Sequence, residues 1–452
     1  MRSASLVTRA RAAAQSPLVH VMGARAVTFP VSAVCGLLWL RLVIEHLGPV
    51  DYAFVAVVVG LQFVLYLLDF GTSSTVLEEA GRYRALGAPA ALATALGRAW
   101  RVIVTGNLAL LLVALALAVT GGWGSLLGFP ARGATASLAV LVTLAINLVA
   151  RPLALATALV AGLGRPAVAT WCQALTSVTS VAAVAVCIAA GAPLSLIVAT
   201  PVVGQLIASL VPFTVAVRAV PGLLRSGLRE ALLARGAFRK VRQLAVPMLL
   251  IQAIAPLNNN LDRLALSHLS SVESVAVYSL AVQLATSAES FILVLQPALW
   301  AEYAERRATG GMRSAVLQAF VYVRRFWLLG IAFGAAFAVT AYLLGPVVAG
   351  GRLHLSWVLC AILGAILPVM VVQTAVGIAL TDPAGLRAQA TLVVLTTGLN
   401  LALTFAWAAP LGATGPALAS LVSAMVHVPA LWILARRRLR QEPSVARASA
   451  AG

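Results

Sequence analysis

Charge is scarce in this chain. Only 10% of its 452 residues are Asp, Glu, Lys or Arg, where a soluble domain carries about a quarter. With 61% hydrophobic residues and a mean hydropathy of +0.99, the shortage excludes a soluble globule. Lysine is nearly missing, Lys240 standing against 31 arginines among the 32 basic residues. Cysteine is almost as rare: Cys35, Cys172, Cys187 and Cys360 sit singly in apolar runs with no CxxC spacing. That excludes a disulfide framework or thiolate metal centre and leaves four small core hydrophobes, with no metal expected. A phosphate-cradling loop is lacking too, so Asp69-Phe70-Gly71 copies a kinase magnesium motif in letters only. No alternation of polar and apolar residues runs along the chain, which excludes a β-barrel. The N-terminus, with Arg2, Arg9 and Arg11, has no small-residue cleavage site and is expected to be a cytoplasmic tail.

What is present is a succession of apolar runs long enough to cross a hydrocarbon core of about 30 Å as helices rising 1.5 Å per residue. The expected fold class is an all-α polytopic membrane protein with about twelve transmembrane helices. They are placed at 26–47, 52–77, 102–121, 134–162, 167–190, 194–217, 244–267, 274–300, 326–349, 355–380, 388–409 and 414–435, joined by connections that include 78–101 and 301–325. A net charge of +19 raises the question of nucleic acid. Sorting the 32 basic residues on this plan, with the N-terminus inside, puts 27 on or at the cytoplasmic side, two outside and three within spans. That asymmetry is the positive-inside signature. It predicts a multi-pass protein of the plasma or inner membrane with both termini cytoplasmic and no nucleic-acid partner. Loop arginines would meet membrane lipid instead.

The chain also repeats itself. Arg41-Leu42, His46-Leu47, Val50 and Asp51 line up with Arg263-Leu264, His268-Leu269, Val272 and Glu273, 222 residues on. Gly164-Arg165-Pro166-Ala167 likewise matches Thr381-Asp382-Pro383-Ala384, 217 residues on. The expected organisation is an N-terminal six-helix lobe at 1–217, a cytoplasmic amphipathic linker at 218–243, a C-terminal six-helix lobe at 244–435 and a basic cytoplasmic tail at 436–452. Two halves with the same sense of insertion follow the parallel-repeat plan of several transporters, which places substrate between them.

Candidate site residues are the polar groups that membrane burial makes expensive. Arg151 lies deep in helix four, where a charge costs at least ~2.5 kcal/mol. It reads either as half of an internal ion pair, with Glu289 as partner, or as an anion contact whose fork fits phosphate oxygens. Glu289, the one carboxylate placed at mid-membrane, reads as that structural partner or as a coupling site for a proton or sodium ion. Asp262 and Arg263 fall near the outer end of helix seven, as a rim pair or as cleft lining. Arg41 occupies the position equivalent to Arg263. Asn258, Asn259 and Asn260 read as polar packing or cleft lining. His46, His268 and His427 are isolated and are not expected to act as ligands. Catalytic residues and cofactors are not expected.

Several short stretches resemble a known family. Leu47-Gly48-Pro49-Val50-Asp51-Tyr52 resembles the turn after helix one of polysaccharide exporters, and Leu68-Asp69-Phe70-Gly71 the end of their second helix. Leu261-Asp262-Arg263 through Tyr278-Ser279-Leu280-Ala281 is similar to their helix seven to eight turn, and Gly162-Leu163-Gly164-Arg165 to the turn after helix four. These belong to the multidrug/oligosaccharidyl-lipid/polysaccharide exporter superfamily, including O-antigen (Wzx-type) flippases. The resemblance implies two six-helix lobes that move an undecaprenyl-pyrophosphate-linked oligosaccharide between leaflets by alternating access, alongside glycan-assembly proteins. It departs at Ala53, where the family often has Gly. A MATE-like drug or cation antiporter shares the architecture, but calls for a deep acid in the first half, and Arg151 would repel a cationic drug. A glycosyltransferase would need a substantial external loop, which is missing, so the chain is not expected to be an enzyme. A non-transporting subunit of a glycan-assembly complex is the remaining alternative.

Overall fold

The computed structural model describes residues 17–62, 72–87, 89–233, 260–293 and 296–441. Among these every extended element is a helix, and ten helices are long and apolar enough to cross a membrane. In chain order the elements are α1 Pro17–Gly60, α2 Thr72–Leu86, α3 Pro89–Val119, α4 Gly122–Leu126, α5 Gly133–Gly162, α6 Pro166–Ala189, α7 Leu194–Ala219 and α8 Leu223–Leu233. There follow α9 at 260–269, α10 Val272–Leu293, α11 Gln296–Val348, α12 Trp357–Ala379, α13 Pro383–Leu411 and α14 Thr414–Gln441.

Ten spans rather than the expected twelve has a simple origin. Helices one and two begin within the single run α1, broken only where Gly48 turns to φ 82°; of the rest of the second helix, 63–71 lies outside the described residues and 72–77 opens α2. The seventh, at 244–267, lies outside them up to residue 259. The connection 301–325 is helical, part of α11 and interrupted at Gly311 alone. Its Ala, Glu, Arg and Gln are strong helix formers, and Glu302 pairs with Arg306 one turn on at 3.0 Å.

Helix ends follow local chemistry. Pro166 and Pro383 occupy the first turns of α6 and α13, where a missing N–H costs nothing. Asp382 caps α13 by accepting from the Gly385 N–H at 3.2 Å, and Ser356 does the same for α12 through Leu359.

The chain forms two compact units. The first comprises residues up to His46 and Leu61–Ala245, the second Leu47–Gly60 and Val246 onward. The division therefore crosses α1 beside the Gly48 break, and Leu47–Gly60 departs from the expected lobe 1–217. Its burial explains why: Tyr52 through Val58 are all buried, and a Cβ on Gly60 would lie 2.7 Å from Asn260 Oδ1.

Each unit has its own apolar core. In the first, Val76, Leu92, Leu96, Trp100, Leu155 and Leu159 pack together; in the second, Tyr303, Val316, Val372, Val376 and Leu431. Because lipid tails are as apolar as leucine, membrane helices associate through close packing of small residues. Gly330 and Gly334 on α11 meet Pro368 and Gly364 on α12 so closely that a side chain on Gly334 would strike the Gly364 carbonyl. The first unit uses Gly204 of α7 in the same way, against Ser180 of α6, with Thr179 Oγ1 donating to the Gly204 carbonyl at 2.8 Å.

An arginine stands beside each of the two turns that match in the sequence. Arg307 of α11 donates to the Ile378 and Ala379 carbonyls at 3.4 Å and to Thr381 Oγ1 at 2.6 Å, closing the end of α12 with a cation where the helix dipole is negative. In the first unit Arg84 of α2 lies against Gly164, the residue matching Thr381, and any side chain there would collide with its guanidinium.

Candidate transport site

Arg151 sits on α5 in line with Thr143 and Asn147, each four residues apart and so on one face. Thr143 and Asn147 are buried, and the Asn147 amide donates to the Thr143 carbonyl at 3.0 Å. The next residue, Pro152, is held through its carbonyl by Trp100 Nε1 of α3 at 3.0 Å, which fixes the backbone under the arginine. Arg151 itself is partly exposed and has contacts of its own.

Arg41, the second cation expected inside a span, is exposed and paired with Glu45 one turn on at 2.9 Å. Such a pair contributes little, about 0–1 kcal/mol. The matching position in the second half, Ser267, carries no acid, and Arg263 turns instead to Asn260 Oδ1 at 3.3 Å.

In the second unit the Asp262–Arg263 rim pair does not form. Adjacent helical residues point about 100° apart, and Asp262 turns inward, with no exposed surface. Its two carboxylate oxygens accept from the Tyr278 hydroxyl at 2.8 Å and the Thr404 hydroxyl at 2.9 Å. Arg263 faces Gly60. Asn258 and Asn259 lie outside the described residues, as does Asp69.

Sequence reasoning missed the polar face of α13. Gln389, Thr396, Asn400 and Thr404 are all buried, at spacings of seven, four and four. Asn400 donates to Ser420 Oγ of α14 at 3.0 Å, and Thr396 shares a hydrogen bond with His427 Nδ1 at 3.1 Å. His427, read as isolated, is thus a partner in the α13–α14 seam. A helical-period count of Thr and Asn would have found that face, because buried polar groups inside a membrane must pair with one another.

Glu289 lies on α10, partly exposed, and takes part in no ion pair among the described residues. It belongs to the second unit and Arg151 to the first.

This is the architecture of a multi-pass membrane transporter or flippase. The family model described as polysaccharide biosynthesis protein matches residues 29–299, and the chain belongs to that family. No curated protein matches. Among solved structures, an inward-facing multidrug resistance MATE family transporter of the MOP superfamily is similar at a TM-score of 0.69 and 14% identity, covering 91% of this chain and 94% of that one. The lipid II flippase MurJ, in an inward closed conformation, is similar at 0.61 and 11% identity, covering 91% and 87%. At such identities the likeness is one of fold.

Proposed function

We propose that this protein moves a polyprenyl-diphosphate-linked oligosaccharide across the plasma or inner membrane by alternating access, for cell-surface polysaccharide assembly. The observation that carries the reading is Arg151, a guanidinium retained within an apolar span of a chain from a polysaccharide biosynthesis family. A planar fork suits the paired oxygens of a diphosphate, and that use would repay the cost of placing the charge there. Two six-helix lobes act as the moving parts. Arg41, Arg263, Asn258 and Asn259 contribute to cleft lining, Asp262 braces the helices behind them through Tyr278 and Thr404, and Glu289 couples movement to a proton or sodium ion. The protein performs no covalent chemistry. Both termini lie on the cytoplasmic side, following the arginine distribution.

Reconstitution tests this. Vesicles holding the purified chain should translocate a fluorescent polyprenyl diphosphate disaccharide, and Arg151→Ala should slow it at least tenfold. Vesicles without activity, or an Arg151→Ala variant as fast as the parent, would overturn the reading. A MATE-like antiporter would instead export cationic drugs, which a cation at Arg151 disfavours. A non-transporting assembly subunit would translocate nothing alone while co-purifying with glycan-assembly proteins.

A further inference from the structure

Among the described residues, two buried oxygens on α5 have no hydrogen-bond partner. Asn147 points its amide nitrogen at the Thr143 carbonyl, which fixes the orientation of the amide and leaves Oδ1 as the atom without a donor. Thr143 Oγ1, one turn earlier, is also without a hydrogen bond. Both residues are more than nine-tenths buried, and an acceptor kept from water and from donors carries a standing cost.

The nearest strong donor along that face is Arg151. Helix side chains lean toward the N-terminus, so a residue covers the turn before its own Cα. Four residues span about 6 Å of helix, which brings Asn147 Oδ1 within reach of the arginine side chain, while Thr143 lies a further turn away. The five N–H groups of the guanidinium leave a donor for that oxygen whatever the others hold. A free metal cation would suit neutral oxygens too, but it would sit beside a guanidinium and be repelled by it.

We propose that Asn147 Oδ1 forms a second seat for the Arg151 guanidinium, taken up when the arginine leaves its present contacts. Asn147 is then a positioning residue: it draws the cation into the helix bundle in one state and releases it to a diphosphate in another. This rests on the reading of Arg151 as the diphosphate contact. The two ideas separate experimentally, because occupation of the seat needs no substrate.

The first test is a double-mutant cycle on thermal unfolding of the full chain in detergent without substrate, using Asn147→Leu, Arg151→Met and the pair. A shared seat makes the melting shifts non-additive by about 2 °C or more; additive shifts overturn the proposal. Should Asn147→Leu fail to fold, the smaller Asn147→Ala enters the same cycle with the same two outcomes. The second readout is binding of a short-chain polyprenyl diphosphate disaccharide. Asn147→Leu should tighten it about two- to five-fold, since the guanidinium no longer divides its time between partners. Unchanged or weaker binding counts against the seat. If Arg151→Met binds this probe as the parent does while the melting shifts stay non-additive, the diphosphate reading fails and the seat stands.

Discussion

The hydroxyl of Thr404 reaches the carboxylate of Asp262 at 2.9 Å across 142 residues of chain. With Tyr278 completing the pair of donors, α9, α10 and α13 are joined at one fully buried acid. Removing one donor leaves a buried oxygen unsatisfied at a cost of about 1–3 kcal/mol. Tyr278→Phe and Thr404→Val should each lower the melting temperature of detergent-purified protein. Their combination in an Asp262→Leu background should add almost nothing. Full additivity in that background would show that the three side chains do not act together.

Arg307 and its neighbour Arg306 make a matched pair for comparison. Arg306 holds only the partly exposed Glu302, whereas Arg307 closes the last carbonyls of α12 and Thr381. Arg307→Ala should therefore cost about 1–2 kcal/mol, and Arg306→Ala less than about 1 kcal/mol. Melting curves that rank the two the other way would remove the capping role.

Close packing of α11 on α12 gives a steric prediction. Gly334→Val places a side chain against the Gly364 backbone and should cost at least about 1–3 kcal/mol, seen as loss of monodisperse protein on size exclusion. Gly398, also helical, has nothing within 4 Å of an added Cβ. Gly398→Ala should leave the elution profile unchanged and raise stability by up to about 1 kcal/mol.

Glu289 carries the coupling hypothesis. In vesicles with an imposed proton or sodium gradient, Glu289→Gln should translocate at the same rate with and without the gradient. A variant that still responds to the gradient as the parent does would exclude Glu289 from coupling.

Most spans were legible because bilayer thickness imposes a length on apolar runs, and α5, α6 and α7 lie within two residues of their expected bounds. The turns at Gly164 and Thr381 were legible because proline and glycine mark them whatever surrounds them. The helical state of the connection 301–325 is written in the i, i+4 spacing of Glu302 and Arg306, a signal that hydropathy alone does not carry. The partners of Asp262 were beyond reach for a different reason. They lie 16 and 142 residues away, and nothing local distinguishes an acid that turns to a neighbouring arginine from one that turns to a distant hydroxyl. His427 was misread because Thr396, its partner, sits on another helix.

Arg84 beside Gly164 and Arg307 beside Thr381 stand at places that match in the sequence, yet the two corners are built differently. Gly164 turns to φ 85°, a backbone that side chains avoid, whereas Thr381 offers Arg307 a hydroxyl as ligand. Exchanging glycine and threonine would strain the backbone at 164 and take an acceptor from Arg307 at 381. Matching letters along the chain therefore do not make the two corners spare parts for one another.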